Sequence, residues 1–364
     1  LKGEDGSIKY FSDGKGNRLK MAQVYESPTD GITIALTIDL NLQKAVEGAL
    51  DEIVSKYTPE HALILAMDPQ SGEILAMGSR PGFDPNNYKE YDTETINRNL
   101  PIWMTYEPGS TFKIITLASS IEEKTIDLFK DTFTDSGSIN VEGATLHCWK
   151  HGGHGTQTYL EVVENSCNPG FVSMGQKLGT QKLMSYIKSF GFGQKTGIDL
   201  NGESNGILFN INKMGPVETA TTAFGQGISV TPVQQRTAVS AAVNGGNLYK
   251  PYIVKSLMNE SGALLDYNEK VLVKKVISED TSSLVRFTLE SVVANGTGRN
   301  AYIENYRVGG KTGTAQKVVD GKYSSSSYIL SFVGFMPADN PKIVIYVAID
   351  GAKNVTQYGG TASA

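Results

Sequence analysis

Strand-forming stretches at both ends of the chain bracket a middle that reads as helix, and this order restricts the fold more than any other feature. His61–Met67 and Glu73–Gly78 are apolar and separated by Asp68-Pro69-Gln70-Ser71-Gly72. Those five residues are turn formers, so the two stretches pair as a hairpin. Tyr306–Gly310, Ser327–Met336 and Lys342–Ile349 return to the strand pattern, with Asp339-Asn340-Pro341 turning the last hairpin. Between them, Leu160–Leu178 (with a break near Pro169), Thr180–Phe190, Pro232–Asn244 and Thr281–Ala294 have helical spacing. Thr111–Ser120 reads as a buried helix. Leu40–Tyr57, capped by Asp39, is an amphipathic helix after strand-like Ile32–Ile38. The expected class is α/β (α+β). A central antiparallel sheet comes from both chain ends and is flanked by helices, with a mainly helical subdomain inserted.

The chain has 364 residues, enough to bury a substantial core. Hydrophobic residues make 40 % and charged residues 20 %, which excludes a disordered chain, a collagen and a coiled coil. With 33 Lys and Arg against 38 Asp and Glu, the net charge of −5 lacks the basic excess of a nucleic-acid surface. No run of about 18 apolar residues is present to span a bilayer. Ser7, Asp13, Gly14, Gly16 and Asn17 punctuate a hairpin-like start, and Pro28–Gly31 reads as a linker. The expected division is therefore residues 1–30 and 31–364. Ser324–Ser327 is expected at a loop tip.

Glu107-Pro108-Gly109-Ser110-Thr111-Phe112-Lys113 is the most informative stretch. Ser110 opens an apolar helix, and Lys113 lies one turn later on the same face. A serine needs a base to become a nucleophile. A lysine can supply it when burial and neighbouring cations leave it neutral. A helix N-terminus adds N–H donors for a developing oxyanion. Ser-x-x-Lys also occurs at Ser12–Lys15, with Gly14 in a turn, and at Ser185–Lys188, inside a helix. Ser166-Cys167-Asn168 sets a hydroxyl that can relay a proton beside a carboxamide that can hold a substrate carbonyl or the lysine. Lys311-Thr312-Gly313-Thr314 follows Gly309-Gly310 in a strand-like segment. Lys311 offers charge for a carboxylate, and Gly313 lets a ligand backbone come close.

The ordered set Ser110…Lys113, Ser166…Asn168, Lys311…Thr314 resembles the penicillin-binding protein transpeptidases over roughly residues 30–364. Ile38-Asp39-Leu40-Asn41-Leu42-Gln43, Arg80-Pro81-Gly82-Phe83-Asp84-Pro85-Asn86, Gly225-Gln226-Gly227 and Tyr358-Gly359-Gly360 look like a monofunctional class B enzyme. The chain resembles sporulation-specific class B proteins of spore-forming bacteria and clostridial elongation or division enzymes. This resemblance implies the penicillin-binding transpeptidase fold, with residues 1–30 the end of a pedestal. It implies a serine D,D-transpeptidase that cross-links peptidoglycan stem peptides through a Ser110 acyl-enzyme and is inhibited by β-lactams. Lys113 is then the base, Ser166 the proton relay and Asn168 a substrate-positioning group. Lys311, Thr312 and Thr314 bind the terminal carboxylate, and the N–H groups of Ser110 and Thr314 form an oxyanion hole. The chemistry needs no cofactor. The same resemblance implies a full-length protein anchored on the outer face of the cell membrane beside a glycosyltransferase partner. The competing readings are a β-lactam hydrolase or D,D-carboxypeptidase, and a non-catalytic β-lactam sensor.

A second cluster is independent of these motifs. Three of four histidines and one of two cysteines fall within Leu146-His147-Cys148-Trp149-Lys150-His151-Gly152-Gly153-His154. The other cysteine, Cys167, is the middle residue of Ser166-Cys167-Asn168. Cys148, His151, His154 and Cys167 make a ligand set for a closed structural zinc site, with His147 in reserve. A Cys148–Cys167 disulfide and a pair of free buried thiols are the alternatives.

Overall fold

The computed structural model describes residues 2–319, 321–353, 355 and 359–364, so Tyr358 of the tail stretch lies outside the described residues. The chain separates into two compact units, Leu1–Thr37 with Tyr252–Glu269, and Ile38–Pro251 with Lys270–Ala364. In the first, Ser7–Ser12 and Arg18–Glu26 form an antiparallel hairpin. The Asp13 carboxylate closes its turn by accepting from Lys15 N at 2.9 Å and Asn17 N at 2.8 Å. A three-stranded sheet runs in the order Leu264–Tyr267, Val254–Met258, Thr33–Leu36, so residues 252–269 belong to the same compact unit as the N-terminal segment.

The second unit is built on a five-stranded antiparallel sheet in the order Gly309–Val319, Lys322–Met336, Ile343–Asp350, His61–Met67, Ile74–Arg80. Early and late strands meet at its centre, as expected. Alternate side chains of His61–Met67 face opposite ways. Ala62, Ile64 and Ala66 pack with Val46 and Leu50 of the helix Leu40–Tyr57, whereas Leu63 joins the main core. That core holds the helix Lys113–Glu122, in which every residue from Lys113 to Ile121 is buried. Its polar side chains are buried with it, and the Thr116 and Ser119 hydroxyls donate to Ala223 O at 2.8 Å and Ile115 O at 2.7 Å.

The expected break near Pro169 falls just before it. One helix is Tyr159–Glu164 and the next is Asn168–Leu178, with Pro169 in the first turn, where its missing N–H leaves no carbonyl unpaired. Two short ribbons also enter the helical region: Thr132–Asp135 with Gly155–Thr158, and Ser138–Val141 with Ala144–His147. Tyr306–Gly310 is strand only from Gly309. Ser324–Ser327 lies within the strand Lys322–Met336 and not at a tip. The ladder shifts register between Gln316 and Val318, and the Ser324 hydroxyl accepts from Ser326 N at 3.2 Å and Ser327 N at 3.1 Å. These polar residues form a bulge, and Gly321, with φ +74°, makes the turn.

Candidate active site and adjoining metal-ligand cluster

Ser110 sits in a single 3₁₀ turn, Gly109–Thr111, that leads into the helix Lys113–Glu122. Gly109 has φ +54° and donates its N–H to Gly225 O at 3.0 Å. The half-buried Ser110 opens onto a cleft of about 530 Å³, whose lining includes Trp149, Ser166, Asn168, Gln226, Thr312 and Thr314. Among the described residues, Ser110 Oγ has no hydrogen-bond partner.

Lys113 is 1 % exposed. Its Nζ donates to Ser166 O at 2.8 Å and Asn168 Oδ1 at 2.6 Å, and lies 3.2 Å from Ser166 Oγ. Burial pulls its pKa down to about 7, against the opposing pull of Cys167 and Cys148. A neutral amine has two N–H bonds and one lone pair. The carbonyl and the carboxamide take the two N–H bonds, which leaves the lone pair free for a hydroxyl. Asn168 is fixed from its other end by donation from Nδ2 to His147 O at 3.1 Å.

Ser166 has φ +51°, a left-handed conformation that costs a non-glycine residue roughly 1–2 kcal/mol. The turn it occupies joins the two helices and brings its carbonyl, its hydroxyl and the Asn168 amide to Lys113. Ser110, Ser166 and Asn168, from two remote stretches of sequence, thus line one cleft, with Lys113 buried behind it and bonded to Ser166 and Asn168.

Lys311-Thr312-Gly313-Thr314 lies in the edge strand Gly309–Val319. Thr312 and Thr314 line the cleft. Lys311 is wholly buried, does not line it, and donates to Thr312 O at 3.0 Å. Burial, and then the charge of Lys113, hold its pKa well below the usual lysine range. Gly313 serves a different contact from the one expected. A Cβ there would overlap Ser331 Oγ and stand 3.0 Å from Thr111 Cγ2, so the glycine lets the strand press against the Ser110 turn.

Of the metal-ligand candidates, Cys148, His154 and Cys167 come together, and His151 is exposed and outside the group. Asp135 takes the fourth place, and the four ligand atoms lie within 4.8 Å of one another. Asp135 Oδ2 accepts from His154 Nδ1 at 2.8 Å and from Cys167 Sγ at 3.3 Å, and Cys148 Sγ is 3.4 Å from His154 Nδ1. Both cysteines are free, so the alternative disulfide is not formed here. Burial raises the Asp135 carboxyl, but hydrogen bonds from Cys148, His154, Gly137 and Cys167 outweigh it and bring the pKa to about 2. The hydrogen bond from Cys167 lowers the Cys148 thiol to about 7, and Cys148 together with burial raises Cys167. Two sulfurs beside a carboxylate and an imidazole form a donor set of the right type for zinc. Tetrahedral zinc bonds of roughly 2.3 Å to sulfur and 2.0 Å to nitrogen set neighbouring ligands about 3.5 Å apart, and the group here spans at most 4.8 Å. Trp149 covers the cluster, edge-on to His154 at 5.3 Å between ring centres, and donates to Asn165 O at 2.8 Å. Neither Asp135 nor Trp149 was singled out by the sequence reading. Asp135 sits 13 residues before Cys148 with no recognisable spacing.

The penicillin binding protein transpeptidase domain model matches residues 62–364. The chain belongs to that family. It is 57 % identical over 366 residues to stage V sporulation protein D of Bacillus subtilis, covering 100 % of this chain and 57 % of the relative. It is 34 % identical to a peptidoglycan D,D-transpeptidase FtsI homolog of Mesostigma viride, covering 92 % and 60 %. The chain thus spans little more than half the length of these curated relatives. Penicillin binding protein 3 of Mycobacterium tuberculosis, solved with ampicillin, superposes with a TM-score of 0.84 at 29 % identity, covering 90 % of this chain and 74 % of that one. Penicillin binding protein 2X of Streptococcus thermophilus gives 0.85 at 26 %, covering 99 % and 55 %. The mixed α/β architecture of these transpeptidases is that expected from the sequence.

Proposed function

We propose that this penicillin-binding transpeptidase domain is a serine D,D-transpeptidase of class B type, with Ser110 as the acylated nucleophile. The observation that carries the reading is the buried Lys113 amine, held by Ser166 and Asn168 with a lone pair to spare. Ser110 Oγ attacks the carbonyl carbon of the penultimate D-Ala of a stem peptide, and its proton passes to Lys113 Nζ. The tetrahedral oxyanion is met by the N–H groups of Ser110 and Thr314. Ser166 relays the proton to the departing D-Ala amine, and an ester on Ser110 remains. An amine of a neighbouring stem peptide then attacks the ester, forms the cross-link and releases Ser110. Thr312 and Thr314 hydroxyls hold the terminal carboxylate, and Lys311, buried beneath them, holds the strand in place through its bond to Thr312 O. β-Lactams enter as mimics of the D-Ala-D-Ala end; the solved relatives with ampicillin and aztreonam support this.

Asp135, Cys148, His154 and Cys167 would hold a structural zinc ion, replacing the expected set that included His151. The ion supplies no step of the reaction; it fixes the turn that carries Ser166 and Asn168. The longer protein works on the outer face of the cell membrane in spore-wall synthesis, with a separate glycosyltransferase making the glycan. Residues 1–30 are the end of its pedestal. Among the described residues, no helix is long and apolar enough to cross a membrane.

Labelling with a fluorescent penicillin, followed by peptide mapping, tests the reading. A penicilloyl group on Ser110 that disappears in Ser110→Ala supports it. An adduct on another residue of folded protein overturns it. Transfer of the acyl group from a donor stem peptide to an amine acceptor separates a transpeptidase from a hydrolase or a sensor.

A further inference from the structure

The segment before Ser110 holds a carboxylate that the mechanism leaves unused. Glu107 Oε1 accepts from two donors, Gly227 N at 3.0 Å and Tyr323 Oη at 3.1 Å. Its other oxygen, Oε2, is buried and among the described residues has no partner. The donors come from two segments far apart in sequence. Gly227 ends the loop Gly225-Gln226-Gly227, whose Gln226 lines the cleft, and Tyr323 stands at the start of the strand paired with Lys311–Thr314.

The neighbouring backbone leaves the Ser110 turn little room to move. Tyr106 pairs with Val230, and Gly109 N donates to Gly225 O at 3.0 Å. A Cβ on Gly225 would overlap Gly109 O. On the other side, a Cβ on Gly109 would stand 3.1 Å from Ala315 Cβ and 3.3 Å from Thr314 O. The Ser110 turn is thus wedged between the glycine loop and the Thr314 strand without space to adjust. One carboxylate oxygen is bonded to the glycine loop and to Tyr323 of the strand that pairs with the Thr314 strand.

We propose that Glu107 is a positioning residue that clamps the Gly225–Gly227 loop and the Lys322–Met336 strand onto the Ser110 turn, keeping Ser110 aligned with the Thr314 N–H. It touches neither substrate nor reacting atoms. Burial raises its carboxyl, and the bonds from Gly227 and Tyr323 draw it back. The clamp rests on the reading of Ser110 as the acylated residue. It acts on the chemical step, because alignment with the oxyanion donors matters most in the transition state.

Acylation by a chromogenic cephalosporin, resolved into a binding constant and a first-order acylation rate, tests the clamp. Glu107→Ala should lower the acylation rate at least tenfold and change the binding constant less than threefold. Glu107→Gln, whose amide oxygen accepts from both donors, should recover most of that rate. Tyr323→Phe alters a half-exposed ring and keeps the fold; it should lower the rate two- to threefold. The proposal fails if folded Glu107→Ala keeps the wild-type rate, or if only the binding constant changes. It also fails if Gln is no better than Ala, or if Glu107→Ala does not fold and Tyr323→Phe acylates normally. A wild-type protein with no Ser110 adduct overturns the functional reading itself. A normal wild-type adduct with unaffected Glu107 variants overturns the clamp alone.

Discussion

Lys113 is charged in water at neutral pH, and in the protein it is not obliged to be. With its pKa brought down to about 7 by burial, its neutral fraction grows as pH rises through that value. Only the neutral amine accepts the Ser110 proton, so the acylation rate constant should climb from pH 5.5 to 8.5 with a midpoint near 7. A profile flat across that range would remove Lys113 as the base. Lys113→Ala should cost roughly 10²–10⁴-fold in acylation, the usual worth of a positioned base. Ser166 offers a separation of stability from activity. Its φ of +51° suits glycine, so Ser166→Gly should relieve about 1 kcal/mol of backbone strain while removing the hydroxyl relay. Thermal melting should hold or rise as acylation falls; a parallel loss of both would show that the hydroxyl serves structure. That Ser166 and Asn168 meet Lys113 was legible because Ser-x-x-Lys and Ser-x-Asn are local patterns with a chemical rationale. The left-handed Ser166 was not, since nothing in its residue type announces it.

At the scale of elements, the turn Ser166–Asn168 and the segment Cys148–His154 depend on each other through the sulfur cluster. Metal analysis should find one zinc per chain, lost on Cys167→Ser, with acylation of Ser110 reduced several-fold. Full acylation in EDTA by metal-free protein would remove the structural role. Trp149 is one of two tryptophans and lies 5.3 Å from His154, so chelation should shift its emission, and Trp149→Phe should abolish that shift. The sequence exposed three of the four clustered side chains through clustering of rare residue types. It misplaced the fourth, because His151 is near in sequence but points to solvent, and Asp135 arrives from an adjoining ribbon. Gly313 shows the same limit. Its motif was visible, but its neighbour Ser331 belongs to the adjacent strand. Gly313→Ala should destabilise by about 1–3 kcal/mol through overpacking, and Ser331→Ala in the same chain should restore part of it, read by thermal melting.

For the whole molecule, strand Ile343–Asp350 lies between Lys322–Met336 and His61–Met67, so the sheet is complete only when nearly all of the chain has been made. A chain ending after Ala338 should show no cooperative melting and no penicillin label; a labelled, folded truncate would refute this account of the sheet. The sheet was legible because each strand carries its own apolar pattern and turn residues. The bulge at Ser324–Ser327 was not, because a run of serines reads as loop whether it bends a strand or ends one. Membership of residues 252–269 in the N-terminal unit depends on pairing across more than two hundred positions, for which no local signal exists.

The three-residue turn that presents Ser166 and Asn168 to the amine keeps its middle side chain for the sulfur cluster behind it. Adaptive change there is doubly penalised, because an exchange that reshapes the drug-facing side also disturbs an anchorage the drug never meets. Under selection by a β-lactam, surviving variants should leave residues 166–168 alone and gather at other residues lining the cleft, such as Gln226, Gln316 and Tyr328.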